Sequence, residues 1–177
     1  MSSFDGCVSI KPVKSHFSCQ FFKNNRSKLL AKLPKNACVV VAGNGIMQRS
    51  GDTQYPFRQD SNFWYLTGLD VPDLVLVLSN DSEFVIRQER GVIRATFDGD
   101  YEDEELKSTS GIEKIFFEAE GWKNLHGHFR TNTELYFNLP LSNYDNRHGH
   151  FVNPWRRRIY TKLMRFAPKN EINDIRT

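Results

Sequence analysis

The feature that most constrains this chain is the segment at residues 47–69, MQRSGDTQYPFRQDSNFWYLTGL. It mixes aromatic residues with acids, bases and amides, and its apolar positions follow neither a helical repeat nor a strand alternation along its length. Aromatic side chains bury large areas while nearby polar atoms need partners, so this mixture favours a segment packed against another surface with its charges in a fixed network. The alternative is a purely structural loop whose ion pairs satisfy one another.

Regular elements are predicted on both sides of this segment. Residues 15–33 place Phe17, Phe21, Leu29 and Leu33 on one helical stripe, with Phe22 and Leu30 widening it. Lys23, Arg26, Lys28 and Lys32 point in other directions, and Pro34 ends the helix. The apolar run at residues 38–41 predicts a strand that is buried on both faces.

A β-hairpin is predicted after the segment, because residues 74–78 and 83–87 read as strands and residues 80–82 supply turn chemistry. Asn153 as an N-cap with Pro154 in the first turn predicts a final long helix, whose apolar face carries Trp155, Ile159, Leu163 and Phe166. Weaker patterns predict strands at 92–97, 114–117 and 134–139, helices at 101–110 (capped by Gly111) and 121–130, and a helix start at 170–177. This order predicts an α/β fold with a mixed β-sheet flanked by helices.

The composition argues against a nucleic-acid partner. Aromatic residues make up 13% of the chain and charged residues 25%, values typical of soluble globular domains, and the net charge is only +3. Nucleic-acid binding requires a concentrated basic surface, and the best candidate, residues 156–158, is interpreted as a solvated helix face.

Membrane insertion is not expected either, because the longest apolar run covers only residues 37–42. The start of the chain lacks the apolar stretch of a secretory signal. Cys7, Cys19 and Cys38 are odd in number and widely spaced, which fits reduced thiols better than a disulfide framework. We therefore expect a cytoplasmic protein.

No motif of a self-contained enzyme is present, since the zinc-protease, serine-hydrolase, phosphate-loop and dinucleotide patterns are all missing. One competing pattern is the repeated His-Gly-His-Phe, which contains His126, His128, His148 and His150. Imidazole pairs can bind zinc or copper, although two residues apart on a helix would make the rings diverge by about 200°. The acidic run at residues 98–105 is interpreted as a solvated face, not a calcium loop.

The sequence RSGDTQYPFRQDSNFWYLTG, followed by a proline turn and LVLVL, resembles the signature of the amino-terminal domain of Xaa-Pro aminopeptidases (aminopeptidase P). The resemblance implies the creatinase-type amino-terminal domain, a mixed sheet with ribonuclease-H-like topology. Gly6, Pro12 and scattered serines predict an irregular lead-in at 1–14. The resemblance then implies the domain itself at 15–168 and, at 169–177, the start of a linker helix to a catalytic domain that this chain does not contain.

In that family, two divalent metal ions, usually manganese, are held by two Asp, a His and two Glu of the catalytic domain. The parent enzyme removes the first residue from peptides with proline in second position. The resemblance therefore implies a non-catalytic chain, without cofactor, that builds the oligomer and controls substrate access. Its implied partners are its own catalytic domain, neighbouring subunits and proline-containing peptides.

The resemblance also indicates which residues to test. Asp52 matches an acidic position near the domain interface and substrate cleft, and Arg49 and Arg58 are its expected ionic partners. Trp64 and Tyr65 are expected to anchor the segment to the sheet. Phe97, before Asp98 and Gly99, stands where family members carry an aromatic that reaches a neighbouring active site. The full candidate set for a substrate cleft or domain interface is Arg49, Asp52, Tyr55, Arg58, Asp60, Trp64 and Phe97.

Two other hypotheses remain open from the sequence. The chain could be a stand-alone binding or assembly module that has the fold but no catalytic partner. It could also be a histidine-based metal protein, which would carry stoichiometric zinc or copper on purification.

Overall fold

A six-stranded mixed sheet forms the centre of the molecule. The computed structural model describes residues 16–51, 53–89, 101–130, 134–139, 153–167 and 171–176. The helices are α1 (Cys19–Leu30), α2 (Ser61–Thr67), α3 (Asp103–Ser110), α4 (Glu118–His128) and α5 (Pro154–Phe166). The strands are β1 (Ala37–Ala42), β2 (Gln48–Ser50), β3 (Thr53–Gln54), β4 (Leu74–Ser79), β5 (Glu83–Arg87), β6 (Ile115–Phe117), β7 (Glu134–Phe137) and β8 (Ile172–Asp174).

The large sheet has the order β6-β5-β4-β1-β7-β8, and β2 and β3 form a separate two-stranded ribbon. β1 pairs antiparallel with β4 and parallel with β7, with Val40 opposite both Val77 and Phe137. β4 and β5 form the predicted antiparallel hairpin, while β6 and β8 add parallel edges. Every residue of β1 and β4 is buried, as the continuous apolar runs predict.

Successive residues of β1 point to opposite faces of the sheet and so build two separate cores. Val40 faces α4 and α5, where it packs with Trp122 and Trp155. Val39 faces α1, α2 and α3, where it packs with Phe63 and Leu106. The result is the three-layer helix–sheet–helix arrangement that the sequence predicts. Helices from both outer layers contact residues 47–69.

The predicted apolar stripe of α1 is confirmed at Phe22, which is fully buried, but it is wrong at two positions. Phe17, placed on the stripe, is 49% exposed. Arg26, assigned to a solvent-facing direction, is 1% exposed. Its guanidinium binds both carboxylate oxygens of Glu83, at 2.8 and 3.1 Å, and donates to the backbone carbonyls of Leu66 and Ser110. Because helices α2 and α3 leave these last carbonyls without intrahelical donors, one buried arginine joins α1, α2, α3 and β5.

The helix start predicted at 169–177 is also wrong as secondary structure, because Ile172–Asp174 is a strand. It pairs parallel with β7, with Leu135 opposite Ile172. Local cap-like composition favours a helix there, but hydrogen bonding to the open edge of β7 outweighs that weak preference. Arg176 closes the turn after the strand by donating to Asp174. The division of the chain into lead-in, domain and linker stays a prediction.

The other element predictions are confirmed within a few residues. Gly111 ends α3 in the left-handed conformation, with φ of 70°, and Asn153 caps α5 by accepting from the backbone N–H of Trp155. On α5, Trp155, Ile159 and Leu163 are buried as predicted, but Phe166 is 38% exposed. The strand predicted at 92–97 lies outside the described residues. Among the described residues, no helix is both long and apolar enough to cross a bilayer.

Candidate functional site: the segment at residues 47–69

The segment divides into two parts with different surroundings. Residues 47–58, here called the open half, include the ribbon β2–β3, whose five residues are all exposed. Tyr55 is 52% exposed, and Arg49 and Arg58 are exposed as well. Residues 59–69, here called the buried half, contain Phe63, Leu66 and Thr67, all less than 5% exposed.

A cavity of about 360 Å³ lies at the junction between the two halves. Tyr55, Phe57 and Arg58 come from the open half, Asp60 comes from the buried half, and Asn153 comes from the start of α5. The wall is therefore amphipathic, with aromatic bodies beside amide, carboxylate and guanidinium groups. Such a lining suits either a short peptide or another protein's loop.

Gln59 fixes the junction from inside, where it is 6% exposed. Its Oε1 accepts from the backbone N–H groups of Asn44 and Asp60, at 2.7 and 2.9 Å, and its Nε2 donates to the carbonyl of Val71 at 2.7 Å. One amide side chain thus satisfies three backbone groups from three parts of the chain. Gly43 leaves room for this amide, because a Cβ there would lie 2.9 Å from Gln59 Oε1 and the hydrogen-bonded side chain would have to shift.

Asp60 is an N-cap and an ion-pair partner at once. Its carboxylate accepts from the backbone N–H groups of Asn62 and Phe63, at 3.1 and 3.0 Å, and so starts α2. It also forms an ion pair with Arg156 of α5. These bonds explain why this candidate residue is 9% exposed, and they give it a positioning role at the floor of the cavity.

Arg156 is the residue that sequence reasoning missed. Residues 156–158 were interpreted together as a solvated face, and Arg157 and Arg158 are indeed exposed. The Arg156 side chain, by contrast, is only 16% exposed to solvent. Besides its ion pair with Asp60, it donates to Asn44 Oδ1 at 3.3 Å. No local pattern distinguishes it from its neighbours. The only signal was its position one residue after Trp155, in the first turn of a helix whose N-cap also contacts the segment.

Trp64 and Tyr65 anchor the segment as expected, but to α1 and not to the sheet. The Trp64 ring packs edge-on against Phe17 and Phe22, with centroid distances of 6.0 and 5.8 Å. The Tyr65 ring packs against Phe21 at 6.2 Å, and its backbone carbonyl accepts from Asn25 Nδ2 at 2.9 Å. The prediction named the sheet, whereas these contacts are made by three phenylalanines that the sequence analysis placed on the apolar stripe at 15–33.

Two of the candidate residues, Asp52 and Phe97, lie outside the described residues. The pairing of Asp52 with Arg49 and Arg58 therefore stays a prediction. Among the described residues, the ionic contact within the segment is the one between Asp60 and Arg156, which brings in a partner from α5. The structure therefore joins Tyr55, Arg58 and Asp60 around one cavity and places Trp64 on the opposite, α1 side.

Asp70, just after the segment, has a pKa raised above its usual value. Burial is the main cause, because it disfavours the charged carboxylate, and a hydrogen bond from the Gln59 backbone partly opposes it. The charged form of this carboxylate is therefore held in the fold at some electrostatic cost.

The histidine hypothesis gains no support from the described residues. His126 and His128 lie on α4, and their rings approach different partners: Phe166 at 6.0 Å and Phe84 at 5.8 Å. Over the part of the chain that the structure describes, no group of three or more His, Cys, Asp or Glu could hold a metal ion. His148 and His150 lie outside it.

With this geometry in place, comparison with known proteins identifies the class. Residues 22–136 match the family model described as aminopeptidase P, N-terminal domain. That range contains the whole segment, both its halves, and the sheet from β1 almost to the end of β7. The chain belongs to this family.

Individual relatives agree over shorter stretches. The Xaa-Pro aminopeptidase of Escherichia coli is 38% identical over 64 residues, which is 36% of this chain and 14% of that protein. Intermediate cleaving peptidase 55 of Saccharomyces cerevisiae is 36% identical over 62 residues, covering 35% and 12%. Xaa-Pro aminopeptidase 3 of Dictyostelium discoideum is 36% identical over 83 residues, covering 44% and 16%.

Solved structures support the fold over nearly the whole chain. A Bacillus anthracis protein assigned as an aminopeptidase P superposes with a TM-score of 0.74 at 22% identity, covering 90% of this chain and 38% of that one. The low-pH form of Escherichia coli aminopeptidase P superposes with a TM-score of 0.68 at 20% identity, covering 92% of this chain and 38% of that one. This chain thus spans well under half the length of the proteins that it resembles.

Proposed function

We propose that this chain is the non-catalytic amino-terminal domain of a metal-dependent Xaa-Pro aminopeptidase. The observation that carries the proposal is the match of residues 22–136 to the aminopeptidase P N-terminal domain, together with relatives named Xaa-Pro aminopeptidase. The parent would hold two divalent ions, manganese by preference, in a catalytic domain outside this chain. Such ions activate a water for attack on the peptide bond and stabilise the oxyanion that develops.

Within that parent, we propose that the domain serves oligomerisation and substrate access through its open half. Two features support this role. Tyr55 and Arg58 present exposed aromatic and cationic groups beside a cavity, and Gln59 and Asp60 of the buried half fix the backbone next to them. Exposed aromatics and arginine are enriched at the centres of protein interfaces.

The activity is tested on the complete protein, whose reading frame this proposal expects to extend past Thr177. We expect the complete protein to release the first residue from Xaa-Pro peptides, to lose activity on chelation and to regain it with Mn²⁺. The 177-residue chain should be inactive under all three conditions. A natural stop codon directly after Thr177 would refute the enzyme proposal and leave a stand-alone binding or assembly module of the same fold.

The access role is tested by Asp52→Ala and Arg58→Ala in that complete protein. We expect both variants to change kcat/KM for Xaa-Pro peptides by roughly tenfold, about 1.4 kcal/mol, with little change in the urea midpoint. Glu120→Ala, an exposed acid on α4, is the matched control and should change neither quantity. Parallel losses of activity and stability in Asp52→Ala or Arg58→Ala would show that the segment is structural only.

The stand-alone module makes a different prediction for the 177-residue chain. Light scattering and a pull-down should then show a stable partner for the chain by itself, whereas the domain of a larger enzyme should show little beyond weak self-association.

A cytoplasmic location stays a prediction, because one relative, Intermediate cleaving peptidase 55 of Arabidopsis thaliana, is named as mitochondrial. A fluorescent fusion of the complete protein would decide between these compartments.

A further inference from the structure

The open half, residues 47–58, makes few polar contacts with the rest of the domain. Its internal hydrogen bonds, such as the one from the Tyr55 N–H to the Met47 carbonyl, close the ribbon on itself. Among the described residues, one hydrogen bond connects the open half to another part of the chain: Asn44 Nδ2 donates to the backbone carbonyl of Arg58 at 2.9 Å. The placement of the open half therefore depends on a single amide side chain.

Asn44 is itself held on both sides of its backbone. Its N–H donates to Gln59 Oε1 at 2.7 Å, and its carbonyl accepts from the N–H of Asp73 at 3.0 Å. The next residue, Gly45, exchanges two hydrogen bonds with the side-chain amide of Asn153, at 3.0 and 2.9 Å. Because the backbone around Asn44 is fixed in this way, its side chain can serve as an anchor for the open half.

Arg156 determines how the Asn44 amide is oriented. The amide has one accepting oxygen and one donating nitrogen, whereas a guanidinium can only donate. Arg156 donates to Asn44 Oδ1 at 3.3 Å, and this bond leaves Nδ2 directed at the Arg58 carbonyl. The ion pair of Arg156 with Asp60 holds the guanidinium in place. Arg156 therefore acts on Arg58 through Asn44.

We propose that Asn44 is the positioning residue of the open half and that Arg156 orients it. Asn44 lines the cavity together with the larger side chains of the open half, so its bond to Arg58 fixes one part of the cavity wall relative to another. Without that bond the Arg58 carbonyl would turn to water, and the ribbon would move away from the cavity. The consequence for substrate access rests on the proposed function, whereas the structural claim does not.

Limited digestion of the 177-residue chain with trypsin tests the structural claim, because trypsin cleaves after Arg58. Asn44→Asp is the sharpest variant, since it keeps an oxygen for Arg156 but replaces the donor to the Arg58 carbonyl with a second oxygen. Cleavage of a folded chain follows the population of its locally open form. We expect the initial rate of cleavage after Arg58 to rise about fivefold, the effect of losing one hydrogen bond of this kind.

The chain contains a matched control for this experiment. Asn80 Nδ2 donates to the backbone carbonyl of Lys35 at 2.7 Å, which is the same type of bond before another trypsin site. Asn80→Asp should leave the rate after Arg58 unchanged, and Asn44→Asp should leave the rate after Lys35 unchanged. Equal acceleration after Arg58 in both variants would reduce the effect to overall stability and overturn the proposal. An unchanged rate after Arg58 in Asn44→Asp would overturn it as well.

The role of Arg156 is tested by combining substitutions. Arg156→Lys keeps a cation beside Asp60 but removes the fixed fork of donors that serves both Asp60 and Asn44. Alone, it should accelerate cleavage after Arg58. Added to Asn44→Ala, it should give no further acceleration, because both changes act through the same amide. Effects that multiply would refute the assignment of Arg156 to orienting Asn44.

The consequence for access is tested in the complete protein. Asn44→Asp should raise KM for Xaa-Pro peptides about fivefold and leave kcat within about twofold, because the open half affects binding and not the chemical step. An active enzyme in which Asn44→Asp changes neither constant would overturn the link to access. A complete protein without peptidase activity would instead refute the proposed function, and the trypsin rates would still decide whether Asn44 positions the open half.

Discussion

The open and buried halves of residues 47–69 belong to one continuous sequence signature, yet the structure uses them differently. The buried half is tied by Gln59, Asp60 and the aromatic contacts of Trp64 to elements far away in sequence. The open half forms an exposed ribbon, and its larger side chains face a cavity. A family signature can therefore combine buried residues that stabilise the fold with exposed residues that are available for contacts. Measurements of stability and of activity on single variants are needed to tell the two groups apart.

The largest expected effect comes from the arginine that holds the end of the buried half. Arg26→Met should destabilise the chain by about 3 kcal/mol, because it leaves the carbonyls of Leu66 and Ser110 without their donor and Glu83 without its partner. Urea unfolding measures the loss. Lys28→Met, on the exposed side of the same helix, is the control and should change stability by less than about 0.5 kcal/mol. Similar values for the two would mean that Arg26 contributes little to holding the buried half.

Gly68 tests the packing of the same half. Its φ is 71°, and a Cβ there would lie 2.3 Å from Phe22 Cε2, so Gly68→Ala combines left-handed strain with overpacking. We expect a loss of about 2–3 kcal/mol. Gly51 in the open half is the matched control, because its φ is 52° but no atom lies within 4 Å of the Cβ position. Gly51→Ala should therefore cost about 1 kcal/mol, the conformational part alone. Equal losses would erase the contrast between the halves.

Asp60 stands at the boundary, and its two roles can be separated by substitution. Asp60→Ala removes both the N-cap and the partner of Arg156, for an expected loss of about 2 kcal/mol. Asp60→Asn retains a capping oxygen and should lose less than half as much. If Asn proves as damaging as Ala in chemical unfolding, the ion pair and not the cap governs the start of α2.

Asp70 predicts a small effect that depends on pH. Its pKa is raised in the folded state, so the charged form is penalised there, and the stability linked to this group is lost as pH rises through the folded pKa. Asp70→Asn should therefore raise the urea midpoint slightly at pH 7. The difference should vanish at pH 3, where the carboxyl is protonated in both states. A lower midpoint at pH 7 would show that the charge is favourable in place.

The smallest effects on stability are expected in the open half. Tyr55→Ala and Arg58→Ala should each change the free energy of unfolding by less than about 0.5 kcal/mol, because both side chains are exposed. A loss above 1 kcal/mol from either would show that the open half stabilises the domain and would remove the reason to treat it as a presented surface.

The sequence predicted the fold well because its strongest patterns are also its main packing determinants. The unbroken apolar runs of β1 and β4 admit little except central strands, and the cap of α5 is a local hydrogen-bonding motif. On α1, the pattern placed Phe17 and Phe22 on one stripe but could not rank their burial. Phe22 is the one that packs against Gly68, a contact that only the tertiary structure reveals.

The site was predictable as a segment but not as a network. Its boundaries follow from composition, and Tyr55, Arg58 and Asp60 do share one cavity. The pairing of Asp60 with Arg156 joins residues 96 positions apart. No single-sequence pattern connects such positions, since three consecutive arginines look alike until the helix is docked. The edge strand β8 was missed for the same reason, because its hydrogen bonds depend on β7.

The placement of α5 has a practical consequence for anyone preparing the domain. The family model ends at residue 136, before this helix, and a shortened form cut there would lack Trp155, Ile159 and Leu163. Together with Trp122 and Leu125 of α4, those side chains cover the face of the sheet that carries Val40. A fragment designed from the family match alone would expose this apolar surface to water. It should precipitate during purification, even though every residue of the signature is present.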